Sequence, residues 1–209
     1  MSKGVLIVGG SVAGLTAAET LREQGYKGSV TIIGSESELP YQRPPLSKQF
    51  LSGQWGEERV QLTSKKRLED LGISFHMGVT AERLDPSEAQ VFTSAGTFDY
   101  EHLLIATGAK ARTLTGISSE VQVSYLRQLD DAKNLKSAIK ADGQILIIGA
   151  GVLGSEMAAT LAQLGHRVTL VGNFPHPRLG ADLEILSKAA TRILLDLGVE
   201  LQMDCTVEE

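Results

Sequence analysis

The 209-residue sequence predicts an α/β protein with parallel sheets, on three observations. A supersecondary unit occurs twice; aliphatic runs of strand length lack polar alternation; and glycines concentrate at the turns between those runs and the helices that follow. Hydrophobic residues at 42% and charged residues at 22% are globular proportions and exclude a disordered, fibrous or coiled-coil chain. Glycine contributes 22 residues without an excess of proline, which marks backbone-limited turns, not low complexity.

Residues 5–25, VLIVGGSVAGLTAAETLREQG, and 145–165, ILIIGAGVLGSEMAATLAQLG, are identical at nine of 21 positions. Each copy opens with an aliphatic run suited to a parallel strand buried on both faces. Each then turns on glycine, enters a helix rich in Ala, Leu and Thr, and stops at Gly25 or Gly165, residues that can take the left-handed position after a helix end. Second strands follow at Val30–Ile33 and Val168–Val171. Strand, GxGxxG-like turn and helix in this order form the dinucleotide-binding fingerprint. Its first glycine permits the tight turn, the second lets main chain approach a pyrophosphate, and the third lets helix and strand pack closely. Main-chain N–H groups at the helix start then hold the anion. The second copy, Gly149-x-Gly151-x-x-Gly154, is complete; the first reads Gly9-x-Ser11-x-x-Gly14, with a small hydroxyl at the middle position. Two such elbows in register suggest two nucleotides.

An acid beyond the second strand ordinarily accepts hydrogen bonds from an adenosine ribose. Glu36, in Gly34-Ser35-Glu36, is so placed in the first copy. The corresponding place in the second reads Gly172-Asn173, and the next acid is Asp182. Two readings stay open there: loss of the carboxylate favours a 2′-phosphate approached by His176 or Arg178, or this copy no longer binds well.

Between the copies, Pro44-Pro45 fix φ, push Arg43 towards an extended conformation and preset a short helix ending near Gly53, with Arg43 and Lys48 at the two ends of a rigid segment. Residues 99–108 read as another buried strand running into a glycine turn. Beyond the second copy, a helix is expected over 182–197, then a strand beginning at Val199.

The net charge of −5 is spread over both halves, and the one basic run, Lys65-Lys66-Arg67, is followed at once by Glu69-Asp70, as on a solvated helix face. A nucleic-acid partner is therefore not expected. No apolar stretch approaches the roughly eighteen residues that span a bilayer, so no membrane partner is expected either. Cys205, the single cysteine, cannot form an internal disulfide, a CxxC pair or a multi-cysteine metal site; it fits a reducing compartment, and the expected location is cytoplasmic, with no metal. No tyrosine is followed four residues later by lysine, as a short-chain dehydrogenase needs. No GxSxG elbow is present, and the four histidines are scattered.

The YQRPPLSK segment (41–48), the IATGA strand end (105–109) and the two fingerprints together resemble the FAD-dependent, NAD(P)H-oxidising ferredoxin reductases, over essentially the whole chain. The resemblance implies two Rossmann-like dinucleotide-binding domains of the FAD/NAD(P)-binding fold, incomplete at the C-terminus. An FAD-binding domain is expected over 1–112 and an incomplete NAD(P)H-binding domain over 113–209. It implies that Gly9, Ser11, Ala13 and Gly14 lie at the FAD pyrophosphate and Ser35-Glu36 at the adenosine ribose. Ala81 matches a main-chain adenine contact, Thr107-Gly108 the second FAD motif, and Arg43, Lys48 and Arg127 positions that line the cofactor. Gly149, Gly151 and Gly154 match the NAD(P)H elbow. Glu156 matches a glutamate near nicotinamide and flavin that can pair with Lys48, these two being the expected catalytic residues. The implied chemistry is hydride transfer from NAD(P)H to FAD, then delivery of single electrons to a ferredoxin- or rubredoxin-type acceptor. The alternative is a nucleotide-binding module of the same fold, truncated or degenerate and without reductase activity.

Overall fold

The computed structural model describes residues 4–118, 121–140, 143–180 and 184–206. The chain divides into two compact units, Met1–Gln42 with Glu58–Lys110, and Arg43–Glu57 with Ala111–Glu209. The PPLSK segment thus groups with the second unit, although it lies early in the sequence.

The first copy builds β1 (Val5–Val8), α1 (Val12–Glu23) and β2 (Val30–Gly34). A single-turn helix α2 (Glu57–Val60), α3 (Lys65–Asp70), β3 (Ile73–Met77), β4 (Ala81–Asp85), β5 (Gln90–Thr93), β6 (Gly96–Asp99) and β7 (His102–Ile105) follow. A parallel sheet has the order β3-β2-β1-β7, and β4-β5-β6 form a separate antiparallel sheet. Alternation along β1 and β2 divides the core between two faces. Ile7, Val30 and Ile32 pack with Leu15 and Ala18 of α1, with Leu68 of α3 and with Ile73. Leu6, Val8 and Ile33 pack on the other face with Val79 and Val91. β1 is therefore apolar throughout and β2 apolar except for the partly buried Thr31, because both faces of each strand are packed. Arg22, near the end of α1, ties the helix to the following loops: its guanidinium donates to the carbonyls of Tyr26, Gly28, Leu71 and Gly72 at 2.7–2.8 Å.

In the second unit, residues Pro44–Ser47 form a 3-10 turn. It is joined by α4 (Leu129–Ala138), β8 (Gln144–Ile148), α5 (Val152–Gln163), β9 (Arg167–Val171), α6 (Glu184–Asp196) and β10 (Glu200–Gln202), the parallel strands lying in the order β10-β9-β8. Leu51 packs into a core with Ile147, Ala158, Leu161, Leu170 and Leu194, which anchors the 43–57 segment to this sheet and its helices.

Several local expectations change. The short helix expected at the prolines is a 3-10 helix over Pro44–Ser47, with Leu46 N–H bonded to Arg43 O and Lys48 N–H to Pro45 O, and the chain continues as turns to Gly53. Arg43 is right-handed helical, φ −80° and ψ −35°, not extended, because its carbonyl begins that turn. The buried strand expected within 99–108 is β7, at the sheet edge, where Leu104 and Ile105 are exposed. β8 is likewise an edge strand, with Leu146 and Ile148 exposed, since among the described residues it has a paired neighbour on one side only. The helix expected from 182 is described from Glu184, and Asp182 lies outside the described residues.

The glycine elbows set helix against strand. A Cβ on Gly14 would stand 2.0 Å from the carbonyl oxygen of Gly9, and one on Gly154 would stand 1.9 Å from that of Gly149. Gly151, by contrast, has open space around its would-be Cβ and φ −82°. Gly14→Ala and Gly154→Ala are therefore expected to lose about 3 kcal/mol of folding stability in chemical denaturation, whereas Gly151→Ala should fall within about 1 kcal/mol of the parent.

Candidate functional site

The first elbow is made by the ends of three parallel strands. Gly9, at φ +132°, donates its N–H to Ile33 O at 2.9 Å. A Cβ there would stand 2.1 Å from Ala106 O, so the chain leaving β7 passes directly against this glycine and brings Thr107 and Gly108 to the elbow. Gly10, to which sequence reasoning gave no role, packs against the Phe75 ring, with 2.6 Å left between a would-be Cβ and Cζ. Ser11 is the N-cap of α1, yet its side chain makes no capping bond, no acid occupies the first turn, and Val12 and Ala13 are exposed. The first N–H groups of the helix are thus left to an outside acceptor.

Beyond β2, exposed Ser35 is followed by Glu36, whose carboxylate accepts a hydrogen bond from the Tyr41 hydroxyl. Main-chain bonds from Gly78 N–H to Glu36 O and from Val79 N–H to Gly34 O, both 2.9 Å, hold the turn before Ala81 beside this strand end. Tyr41 lies within the quoted YQRPPLSK motif, but only the fold shows that it reaches Glu36.

In the second unit, Gly149 has φ +111°, and Gly151 caps α5 with no side-chain bond and no acid in the first turn. The glycine turn and uncapped helix start fit a dinucleotide pyrophosphate in both copies, with the small Ser11 hydroxyl at the middle position of the first, since the first N–H groups of each helix are left without a side-chain acceptor.

The 3-10 turn and α5 build a second cluster within the same unit. Lys48 Nζ lies 2.9 Å from Glu156 Oε2, and the buried Ser47 donates its hydroxyl to that oxygen at 2.7 Å. Thr160, one turn along α5 from Glu156, has its hydroxyl 2.8 Å from Ser47 O and 2.9 Å from Glu156 O, a single proton shared between two carbonyls. Both ion-pair side chains are about one-third exposed, 36% and 32%, so the pair itself contributes at most about 1 kcal/mol to stability. Its consequence is position: Glu156 fixes where the Lys48 ammonium stands. Lys48, Gln49, Ser52, Gln54, Glu156 and Thr160 line an open groove of about 320 Å³. Arg43 Nη1 donates to Arg127 O at 2.6 Å, which joins two further candidates. Ser47 and Thr160 were missed as site residues, although the i, i+4 spacing of Glu156 and Thr160 places them on one helix face.

The residues assigned by resemblance to FAD thus divide by unit: Gly9, Ser11, Ala13, Gly14, Ser35, Glu36, Ala81, Thr107 and Gly108 in the first, Arg43, Lys48 and Arg127 in the second. Among the described residues no helix is long and apolar enough to cross a membrane, and no group of three or more His, Cys, Asp or Glu gathers as metal ligands would.

The rubredoxin-NAD(+) reductase of Pseudomonas putida is 38% identical over 173 residues, 82% of this chain and 45% of that protein. Rhodocoxin reductase of Rhodococcus erythropolis is 32% identical over 206 residues, 98% of this chain and 48% of that protein. The crystal structure of the covalent putidaredoxin reductase–putidaredoxin complex contains a chain that matches with a TM-score of 0.93 at 29% identity, covering 99% of this chain and 51% of that one. The chain spans about half the length of the curated relatives it matches. A profile described as pyridine nucleotide-disulphide oxidoreductase matches residues 3–209, and on that match, over elbows whose geometry suits two dinucleotides, the chain belongs to the pyridine nucleotide-disulphide oxidoreductase family.

Proposed function

We propose that this chain works in an oxidoreductase that takes electrons from NAD(P)H through FAD to a ferredoxin- or rubredoxin-type carrier. The observation that carries the reading is the duplicated elbow, two helix starts left without side-chain caps, each behind a glycine turn whose third glycine has no room for a Cβ. The acceptor class rests on relatives named as rubredoxin and rhodocoxin reductases and on the putidaredoxin complex. The lone, exposed Cys205 fits a cytoplasmic setting.

In the first unit, Gly9, Ser11, Ala13 and Gly14 offer main-chain and hydroxyl donors to the FAD diphosphate. Glu36 accepts from the adenosine ribose, steered by Tyr41, while the Ala81 main chain and Thr107-Gly108 border the same strand ends. In the second, Gly149, Gly151 and Gly154 receive the NAD(P)H diphosphate. When bound, the two cofactors supply the redox chemistry itself, a hydride from nicotinamide to flavin and single electrons onward. The protein's part is orientation and charge. Lys48 presents a cation that stabilises negative charge on a reduced ring, Glu156 holds that ammonium, and Ser47 holds Glu156. Arg43, fixed through the Arg127 carbonyl, adds a second placed cation.

The purified chain is expected to show the visible absorbance of bound flavin and to bleach on addition of NADH or NADPH without oxygen. A chain that stays colourless with added FAD overturns the reductase reading. In Glu156→Gln the amide still accepts from Ser47 but no longer pairs with Lys48. Stopped-flow flavin reduction should slow roughly ten-fold, the loss of about one charge-assisted hydrogen bond, with flavin content unchanged.

A further inference from the structure

The two copies agree beyond their elbows. In the first, Gly78 N–H donates to Glu36 O and Val79 N–H to Gly34 O. In the second, Asp204 N–H donates to Phe174 O at 3.1 Å and Cys205 N–H to Gly172 O at 3.0 Å. The pairings Val8 with Ile33 and Ile148 with Val171 set the same register. Phe174 therefore stands at the place that Glu36 holds in the first copy, and an apolar ring replaces the ribose-accepting carboxylate. Nor does the elbow leave room for an acid two residues earlier, because a Cβ on Gly172 would lie 2.6 Å from that of Ala150.

Arg178 stands beside this ring. Its N–H donates to Ala150 O at 2.7 Å, and it forms a parallel bridge with Gly151, so its backbone is tied to the elbow. Its guanidinium carbon lies 4.7 Å from the Phe174 ring centroid, its side chain is exposed, and among the described residues no carboxylate forms an ion pair with it. A planar guanidinium braced on an aromatic face offers paired donors that match phosphate oxygens, whereas a 2′-hydroxyl gains little from it.

We infer that the second elbow selects adenosine bearing a 2′-phosphate, and hence NADPH over NADH, with Phe174 and Arg178 as the specificity-determining pair. This rests on the proposed reading of the second elbow as the reductant site.

The test is calorimetric titration of the purified chain with 2′,5′-ADP and with 5′-AMP, which differ only in the 2′-phosphate. The expected result is tighter binding of 2′,5′-ADP by about ten- to a hundred-fold, the value of a charge-assisted bond pair. That preference should shrink as salt rises and fall towards unity in Arg178→Ala. Phe174→Glu, which restores an acid at the Glu36-equivalent place, should shift preference to 5′-AMP. Equal or tighter binding of 5′-AMP by the parent overturns the inference while leaving the reductant site standing. A preference that survives Arg178→Ala in a folded variant also overturns it. If neither nucleotide binds, the reading of the second elbow fails and the inference with it.

Discussion

A main-chain carbonyl with no room beside it governs both units. The oxygen of Gly9 lies where a Cβ on Gly14 would have to go, and the oxygen of Gly149 stands in the same relation to Gly154. Only hydrogen fits at the third glycine, so the first turn of each helix closes onto the strand that precedes it. The helix start then projects at the carboxyl ends of parallel strands, with its first N–H groups unfilled. An anion there gains from several donors and from the helix dipole together, which is why this site demands shape before it demands particular side chains.

Around that shared constraint the copies diverge. A Cβ on Gly9 would also meet the Ala106 carbonyl, whereas nothing lies within 4 Å of a would-be Cβ on Gly149. The first copy keeps a carboxylate for a ribose; the second carries an aromatic ring and a guanidinium. Within the second unit, Pro44 and Pro45 stiffen the turn that buries Ser47, so Lys48 extends from a fixed base towards Glu156. A partly exposed ion pair formed by two free side chains would spend much of its Coulomb energy on ordering them. Here Ser47, and Thr160 bonded to its carbonyl, have already restricted the acid and the turn.

The elbows were legible because their chemistry is local. Glycine spacing between an aliphatic run and an Ala-rich helix prescribes the turn, and the observed strands and helices fall where those patterns end. Long-range neighbours were not legible. No spacing relates Gly9 to Ala106 or Gly10 to Phe75, because each contact depends on which strands pair, and the bond between Glu36 and Tyr41, five residues apart, depends on how the loop after β2 folds back. The expected extension at Arg43 failed for a similar reason: the local preference before proline yielded to a 3-10 turn and to a bond with the distant Arg127 carbonyl. Edge positions were also hidden, since an aliphatic run such as that of β8 reads alike whether one or two strands flank it.

The central claim is that the chain carries two separate diphosphate cradles. Native mass spectrometry with FAD and NADP(+) supplied together tests it most directly. The account predicts a species whose added mass equals one molecule of each. If only one nucleotide is ever retained, with the two displacing each other, a single cradle serves both and the account is contradicted.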